Sequence, residues 1–243
     1  MKKKILIFII TYKSSYRVVQ VMKKIPFDHL KKHYYELYIS DDCSNDDTIN
    51  YIKQLKLKYK AKLNTNINNV NLGYGGNIKK CLNFAFKNNF DYAVMLHGDN
   101  QYNPKYIKEM LKLILKNSNL AAVSGSRMVK KINAIKGKMP LYKFVGNIIL
   151  SKFFNLLYGT SFTDCHTGYW TYNLKKIDKK FFLRADNNFC FDIDMRIALC
   201  KKNKKIEEIP IKTYYGNERS SIHFIYAVKF VWKTIFNKFI SIN

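Results

Sequence analysis

The feature that most constrains this chain is the alternation of short apolar runs with helical segments through its first half. Residues 5–10 form an uninterrupted apolar run, which is typical of a strand buried on both faces. Shorter runs follow at 37–40, 92–96 and 121–124, separated by segments with helical signals. Because strands that alternate with helices build a parallel sheet covered on both faces, the sequence predicts a doubly wound, mostly parallel α/β fold.

Start signals place the helices between these runs. Ser44-Asn45-Asp46-Asp47 supplies N-caps and first-turn acids, and Pro104 opens another helix. The predicted helices span 15–24, 48–59, 73–87, 104–116, 140–159 and 222–242. No repeat or flexible linker divides the chain, so we expect residues 1–243 to form one domain.

The net charge of +26 indicates anionic partners. Nucleic acid is one candidate, but only five of the 43 basic residues are Arg, the residue best suited to base edges and bidentate phosphate contacts. The chain also lacks a helix-turn-helix, zinc-ligand spacing and an aromatic, basic RNA motif. We therefore expect no nucleic-acid partner, and we expect the Lys-rich surface to be attracted to anionic lipid headgroups.

The two C-terminal helices are unusually apolar, yet no run of about 18 uncharged apolar residues exists to span a membrane. The helix at 140–159 has a narrow polar stripe, Lys143, Asn147, Ser151 and Asn155, and it either lies in a core or contacts lipid. The helix at 222–242 mixes aromatic residues with Lys, which suits a bilayer interface. The five cysteines show no metal or disulfide spacing, which favours a reducing compartment. These features predict a cytoplasmic protein, peripheral on the inner face of the membrane.

Polar side chains follow several predicted strands. Tyr12, Asp41, Asp42 and Asp99 all stand at carboxyl ends, where doubly wound sheets bind their ligands. The segment His97-Gly98-Asp99-Asn100-Gln101 offers a carboxylate and an amide, which are hard oxygen ligands for Mg²⁺ or Mn²⁺. The alternative is an ordinary turn before a helix that starts at Pro104. A metal bound here would need a diphosphate to complete its coordination.

Taken in order, the motifs of this chain resemble those of the family-2 glycosyltransferases with the A-type fold, and among them the dolichyl- and polyprenyl-phosphate sugar synthases. The resemblance spans nearly the whole chain. The matching segments are 9–12, 39–48, 71–77, 97–101, 125–127, 164–169, 191–194 and 208–211. The resemblance implies a nucleotide-sugar-binding half at 1–127 and an acceptor-binding half with membrane-facing helices at 128–243.

The resemblance also implies the donor site. Thr11 and Tyr12 would line the base and ribose pocket, and Asp41 or Asp42 would accept hydrogen bonds from the base while the other acid caps the next helix. His97 and Gly98 would contact the nucleotide sugar. A basic loop over the diphosphate would carry Arg219, with Lys212 as the competing residue for that role.

Asp99 and Gln101 match the metal ligands of the family, and Asp99 is therefore also a predicted catalytic residue. The family usually has an acid two positions before Asp99, where this chain has His97. Imidazole is a poor Mg²⁺ ligand but can bind Mn²⁺. We expect Asp99 and Gln101 to be the metal ligands, with Mg²⁺ or Mn²⁺ as the cofactor, and His97 to contact substrate.

On the acceptor side, Arg127 matches a family arginine near the acceptor phosphate, and Lys143 stands where the family has a second arginine. The predicted reaction is inverting transfer of a hexose from a UDP- or GDP-hexose to undecaprenyl or dolichyl phosphate. A phosphate acceptor needs positioning but no general base. Transfer to a sugar hydroxyl of a growing cell-surface glycan is the alternative; it needs a base, for which Asp194 is the candidate unless it is ion-paired.

Overall fold

The computed structural model describes residues 2–213, 215 and 224–239. The strands are β1 Lys4–Thr11, β2 Tyr34–Asp41, β3 Leu63–Ile67, β4 Tyr92–His97, β5 Leu120–Ser126, β6 Trp170–Asn173 and β7 Lys205–Pro210. The helices are α1 Arg17–Lys23, α2 Phe27–Leu30, α3 Thr48–Tyr59, α4 Tyr74–Lys87, α5 Ile107–Lys116, α6 Lys131–Lys136, α7 Leu141–Tyr158, α8 Lys179–Arg184, α9 Phe191–Lys201 and α10 Phe224–Phe239.

The strands form one sheet in the order β3-β2-β1-β4-β6-β5-β7. Every neighbouring pair is parallel except the two that involve β6, which runs antiparallel to β4 and to β5. The prediction of a mostly parallel sheet is confirmed. Along β1, Thr11 pairs with Asp41 and Ile10 pairs with His97, so three carboxyl ends meet at one edge.

The first strand separates two cores. Ile5, Ile7 and Ile9 pack toward α1, α3 and α5, whereas the alternate residues Leu6 and Phe8 pack toward α4, α8 and α9. Since side chains alternate along a strand, an apolar residue at every position is what burial on both faces requires. The two cores lie on opposite faces of the sheet and support the strands whose carboxyl ends carry the polar residues.

Several elements were not predicted from the sequence. The Asn-rich stretch forms the edge strand β3, and the short strand β6 inserts between β4 and β5. The first helix begins at Arg17 rather than at residue 15, because Ser15 has a positive φ of 48° that ends any helical run. These departures come from backbone geometry and pairing that depend on distant segments.

Helix α7 packs with its polar stripe inward. Asn147 and Ser151 are buried, and the Ser151 hydroxyl accepts a hydrogen bond from the Cys165 backbone at 3.1 Å. Leu141, Tyr142, Val145, Ile149 and Leu156 on the same helix are exposed. The polar stripe therefore serves the protein interior, and the broad apolar face is presented outward. Within the residues described, no helix is long and apolar enough to cross a bilayer.

The glycine cluster that opens α4 allows a close backbone contact. A Cβ placed on Gly75 would lie 2.1 Å from the Asp186 carbonyl oxygen, while the Gly76 amide donates to the Asn187 carbonyl at 3.0 Å. Only a residue without a side chain fits at position 75. The cluster is a packing device that seats the 186–188 loop on α4.

We expect the substitution G75A to lower the free energy of unfolding by at least ~2 kcal/mol, because the added methyl meets backbone that cannot move aside. Gly146 in α7 is the matched control, since a Cβ there has nothing within 4 Å. G146A should be neutral or stabilising by up to ~1 kcal/mol through helix propensity. Urea unfolding of both variants measures the difference, and equal effects would contradict the packing role.

Candidate active site

The Asp41 carboxylate connects the loops that follow the carboxyl ends of β1 and β2. It accepts hydrogen bonds from the Thr11 hydroxyl at 2.8 Å and from the Ser44 hydroxyl and backbone amide at 2.7 and 2.8 Å. The expectation that Asp41 or Asp42 caps the next helix is wrong, because the Thr48 amide that opens α3 donates to Asp46 instead. Asp41 is fully buried, so its carboxylate holds these loops together from inside the protein.

Asp42 holds the segment that follows β3. Its Oδ1 accepts from the Asn68 amide at 3.0 Å and from the Leu72 backbone at 2.8 Å. Tyr12 is half-exposed at the end of β1, with the Lys13 ammonium 5.3 Å from its ring centre. The structure thus brings Thr11, Tyr12 and both acids to one edge, as the sequence predicted.

Asp99 lies in a turn that opens into a cavity of about 970 Å³. The turn is held by the Gln101 backbone amide, which donates to Asp99 Oδ1 at 2.9 Å. Within the turn, Asn100 has a positive φ of 65°. Gln101 and the predicted diphosphate ligand Lys212 line the same cavity. The other cationic residues that line it are Arg17, Lys24, Lys105 and Lys136. A single carboxylate therefore faces five cationic side chains from the described part of the chain, which suits a polyanionic ligand.

Gly98 allows the turn to lie against the first strand. A Cβ on Gly98 would lie 2.5 Å from Thr11 Cγ2 and 3.0 Å from the Ser14 hydroxyl. The chain can therefore place the Asp99 carboxylate beside the end of β1 only with glycine at position 98. The nucleotide-sugar contact predicted for Gly98 stays a prediction; its observed role is this close approach.

The donor set around Asp99 limits what metal site is feasible. Among residues 2–213, 215 and 224–239, no three His, Cys, Asp or Glu side chains come together as metal ligands. The Asp99 carboxylate and the oxygen of the Gln101 side-chain carboxamide are hard donors. These two residues fit Mg²⁺ or Mn²⁺ only where a bound diphosphate supplies further oxygen ligands. Joint binding of metal and donor stays a prediction.

The His97 ring is held by one hydrogen bond and two aromatic contacts. Its Nε2 lies 2.9 Å from the Gly168 carbonyl oxygen, and the Tyr102 and Tyr74 rings meet its ring edge-on at 4.9 and 5.5 Å. Burial lowers the pKa of His97, while the nearby Asp99 opposes that shift. A neutral imidazole with Nε2–H donated to Gly168 follows, which suits the predicted contact with substrate better than a cationic role.

Asp192 belongs to the same cluster and was not singled out by the sequence. The Tyr74 hydroxyl donates to Asp192 Oδ2 at 2.8 Å and lies 3.4 Å from His97 Nε2. Asp192 Oδ1 is buried and has no partner among the described residues. Burial raises the pKa of Asp192 to about 7, although the Tyr74 hydrogen bond opposes the shift. The F-D-I-D motif at 191–194 indicated this region but not which of its two acids binds Tyr74.

Asp194, the predicted base, lies instead at the contact between α9 and α10. Its Oδ2 accepts from the Lys233 ammonium at 2.5 Å and from the Asp186 amide at 2.8 Å. Lys233 and Lys229 also pair with Asp186, whose pKa falls to about 2 because these bonds outweigh its burial. The structure therefore shows the ion-paired alternative for Asp194. Together, the Asp194 and Asp186 pairs fasten α10 to α9 and to the 186–188 loop.

Arg127 is held by a buried ion pair. Its Nε and Nη2 donate to the two Asp164 oxygens at 2.7 and 2.8 Å, and Nη1 donates to the Tyr215 hydroxyl at 2.8 Å. Burial alone would raise the pKa of Asp164, but the Arg127 guanidinium holds that pKa below its ordinary value. Lys143 is close by, with its ammonium 5.6 Å from the Tyr215 ring centre.

The structure thus brings Arg127 and Lys143 together as predicted, but Arg127 is absent from the described residues that line the Asp99 cavity. The acceptor-phosphate role of both residues stays a prediction. The remaining predicted residue, Arg219, lies outside the described residues.

The sequence model for Glycosyl transferase family 2 matches residues 7–181. The chain belongs to this family. It is 32% identical over 218 residues, 83% of each chain, to a UDP-N-acetylglucosamine–dolichyl-phosphate N-acetylglucosaminyltransferase of Methanococcus voltae. The family assignment confirms the resemblance drawn from the ordered motifs.

The fold is also similar to that of glucosyl-3-phosphoglycerate synthase from Mycobacterium tuberculosis. A structure of that enzyme with Mn²⁺, UDP and phosphoglyceric acid has a TM-score of 0.68 at 12% identity, covering 97% of this chain and 78% of that one. A second structure, with Mg²⁺ and UDP, has a TM-score of 0.65 at 12% identity, covering 97% and 79%. At this identity the likeness concerns the fold, and it confirms the predicted A-type glycosyltransferase fold.

The buried carboxyl of Asp192 predicts a specific pH dependence. Its proton leaves the unfolded chain near pH 4 but is retained by the folded chain up to about pH 7. Folding therefore loses stability as pH rises through this window. D192N, which mimics the protonated acid, should remove that loss and be more stable than the wild type above pH 7 by up to ~4 kcal/mol. Urea unfolding at about pH 3.5 and about pH 8, below and above the two pKa values, measures the difference. Parallel pH profiles of D192N and the wild type would contradict the assignment.

Proposed function

We propose that this enzyme transfers a hexosyl group from a nucleotide diphosphate sugar to a polyprenyl phosphate, with inversion at the anomeric carbon, while bound peripherally to the inner face of an anionic membrane. The observation that carries the proposal is the position of a cationic, Asp99-containing cavity in a protein whose neighbouring helix α7 turns its apolar face outward. Such an arrangement suits a charged donor and a lipid acceptor. The Methanococcus voltae relative is named for transfer to a dolichyl phosphate.

The donor half of the proposal rests on the carboxyl edge of the sheet. Asp41 and Asp42 hold the loops beside Thr11 and Tyr12, and the Asp99 turn offers oxygen ligands one strand away. A bound Mg²⁺ or Mn²⁺ would supply Lewis-acid stabilisation of the leaving diphosphate. The lysines of the cavity add positive charge where the diphosphate charge develops, which lowers the barrier to its departure.

The choice of acceptor rests on the absence of a placed base at Asp194. A polyprenyl phosphate is already ionised near neutral pH, so the enzyme needs only to hold it in line with the anomeric carbon. Transfer to a glycan hydroxyl requires a base, and the carboxylate predicted for that role is bound by Lys233. Asp194 is thus ion-paired rather than free to act as that base, and the phosphate acceptor is supported by the name of the Methanococcus voltae relative.

The decisive assay incubates the protein with radiolabelled UDP-N-acetylglucosamine, UDP-glucose or GDP-mannose, Mn²⁺ and undecaprenyl or dolichyl phosphate. We expect label to enter the organic phase with at least one donor, and the product of an α-linked donor to be β-linked. D99N should lower kcat at least about 100-fold, because the leaving diphosphate loses its ligand site. D28N is the matched control, since Asp28 is an exposed acid on α2 whose partner is Lys31. Failure to form any lipid-linked sugar across these donors would overturn the proposal.

The proposed membrane surface combines the outward face of α7 with α10. Leu156 is 83% exposed, and Trp232 and Phe239 on α10 are exposed as well. The two helices pack on each other through a small core that contains Phe154 and Phe230. An apolar surface of this kind on a chain of net charge +26 matches an anionic bilayer, because headgroup charge and acyl-chain contact act together.

We expect L156E to reduce the partition coefficient onto phosphatidylglycerol vesicles at least about tenfold, because burying a leucine side chain contributes ~1.5–3 kcal/mol and the new carboxylate is repelled. L57E is the matched control: Leu57 is 75% exposed but lies on α3, away from α7 and α10. Vesicle flotation measures both variants. Equal losses in L156E and L57E, or none in L156E, would contradict this surface.

A further inference from the structure

We propose that Phe189 and Tyr226 are positioning residues that couple helix α10 to the Asp99 turn, so that binding of a bilayer and binding of a nucleoside diphosphate strengthen each other. This coupling rests on the membrane surface and the donor site of the proposed function, and it connects the two physically. The connection consists of four aromatic side chains in successive contact, the ring chain: Tyr226, Phe189, Tyr74 and His97.

The ring chain runs from the first turn of α10 to the end of β4. The Tyr226 ring meets the Phe189 ring edge-on with their centres 5.2 Å apart, and Phe189 stacks on Tyr74 at 5.5 Å. Tyr74 meets the His97 ring edge-on at 5.5 Å, and its hydroxyl lies 3.4 Å from His97 Nε2. Rings at these separations pack against each other, so each one limits the positions open to the next. The last ring stands two residues before Asp99.

Helix α10 also reaches His97 through a second segment. The centre of the Phe230 ring lies 4.2 Å from that of His166, in the loop that precedes β6. Gly168 in the same loop accepts the hydrogen bond of His97 Nε2 at 2.9 Å. Two of the three contacts that hold the His97 ring therefore come from segments that pack against α10. Displacement of α10 would remove support from both.

The loop that carries Phe189 is attached to α10 on one side and to α4 on the other. The Lys233 ammonium lies 3.1 Å from Asp186 Oδ2. On the other side, the Lys79 ammonium of α4 donates to Asn187 Oδ1 at 2.8 Å. Because these two attachments precede Phe189 directly in the chain, they hold its ring between α10 and the start of α4.

Helix α10 is attached to the protein through a small part of its surface. Phe230 is the only buried apolar side chain among those described on this helix. The exposed apolar side chains of the helix are Val228, Trp232, Ile235, Phe236 and Phe239. The ion pairs of Lys229 and Lys233 are partly open to solvent, and such pairs contribute little net stability. An element with so few buried contacts separates at a low free-energy cost, so the docking of α10 is marginal in water.

A bilayer favours the docked position of α10. In that position α10 packs on α7, and the exposed residues of both helices belong to the proposed membrane surface. The bilayer therefore binds the docked protein more tightly and shifts the population toward it. The docked protein has the ring chain in place, which holds the Asp99 turn ready for a diphosphate. By linkage, a nucleoside diphosphate bound at this turn strengthens membrane binding by the same factor.

Isothermal titration of the Mn²⁺-loaded protein with UDP, with and without phosphatidylglycerol vesicles, tests the coupling. In the wild type, the vesicles should lower the Kd of UDP at least about fivefold, the lower end of typical coupling between two sites. F189A removes the second ring of the chain and Y226A removes the ring on α10; each should reduce the vesicle effect to less than about twofold. F189Y keeps the ring and should retain the full effect.

F86A is the matched control. Phe86 is a partly buried ring like Phe189, but it stacks on Phe182 at 5.4 Å and is not part of the ring chain. F86A should show the vesicle effect of the wild type. The coupling would be overturned by a wild type whose UDP affinity ignores the vesicles, by F189A and Y226A that keep the full effect, or by an equal loss in F86A.

Vesicle flotation measures the reverse effect and separates the coupling from the proposed reaction. Mn²⁺ with UDP should raise the partition coefficient of the wild type by the factor found in the titration, and that of F189A less than about twofold. Neither measurement uses an acceptor lipid. If the coupling is found but no lipid-linked sugar forms, the ring chain stands and the proposed reaction fails. If lipid-linked sugar forms but vesicles leave UDP binding unchanged, the reaction stands and the coupling fails.

Discussion

The parallel pairing of β1 with β2 and β4 is the constraint on which the rest of this structure depends. It brings Thr11, Asp41 and His97 to a single edge of the sheet, although they are widely separated in the sequence. The pairing is possible because every residue of β1 from 5 to 9 is apolar and can be buried on either face. The Asp41 and Asp42 carboxylates then hold the loops that follow those strand ends.

The second organising feature is the orientation of α7, whose polar stripe faces the protein interior. Its polar stripe is used internally: the Asn147 amide lies 3.3 Å from Asp164 Oδ1, and Asn155 donates to the Phe162 carbonyl at 2.8 Å. These side chains contact the buried loop that holds the Arg127–Asp164 pair, so the polar stripe of α7 faces inward. Phe154 is buried on the same helix, whereas Leu141, Ile149 and Leu156 remain exposed.

The site also shows why motif position alone does not assign roles to charged residues. Asp192 and Asp194 are two positions apart on α9, yet Asp192 accepts a hydrogen bond from Tyr74 and Asp194 pairs with Lys233. A helix turns by about 100° per residue, so such neighbours point in different directions. Similarly, Arg127 was predicted from its motif to bind phosphate, but its guanidinium is matched to Asp164, a residue 37 positions away. Only the packing of distant segments reveals these partners.

The sequence by itself determined the α/β alternation, the mostly parallel sheet, the convergence of Thr11, Asp41 and Asp99 at the strand ends, and the family to which the chain belongs. These follow from local patterns, because hydrophobic periodicity and strand-end polarity are written in consecutive residues. Tertiary structure alone decided the antiparallel insertion of β6, the inward polar stripe of α7 and the ion pairing of Asp194. It also decided that Lys136 and Lys212 line the same cavity as Asp99. Each of these depends on contacts between segments far apart in the chain, which no local pattern encodes.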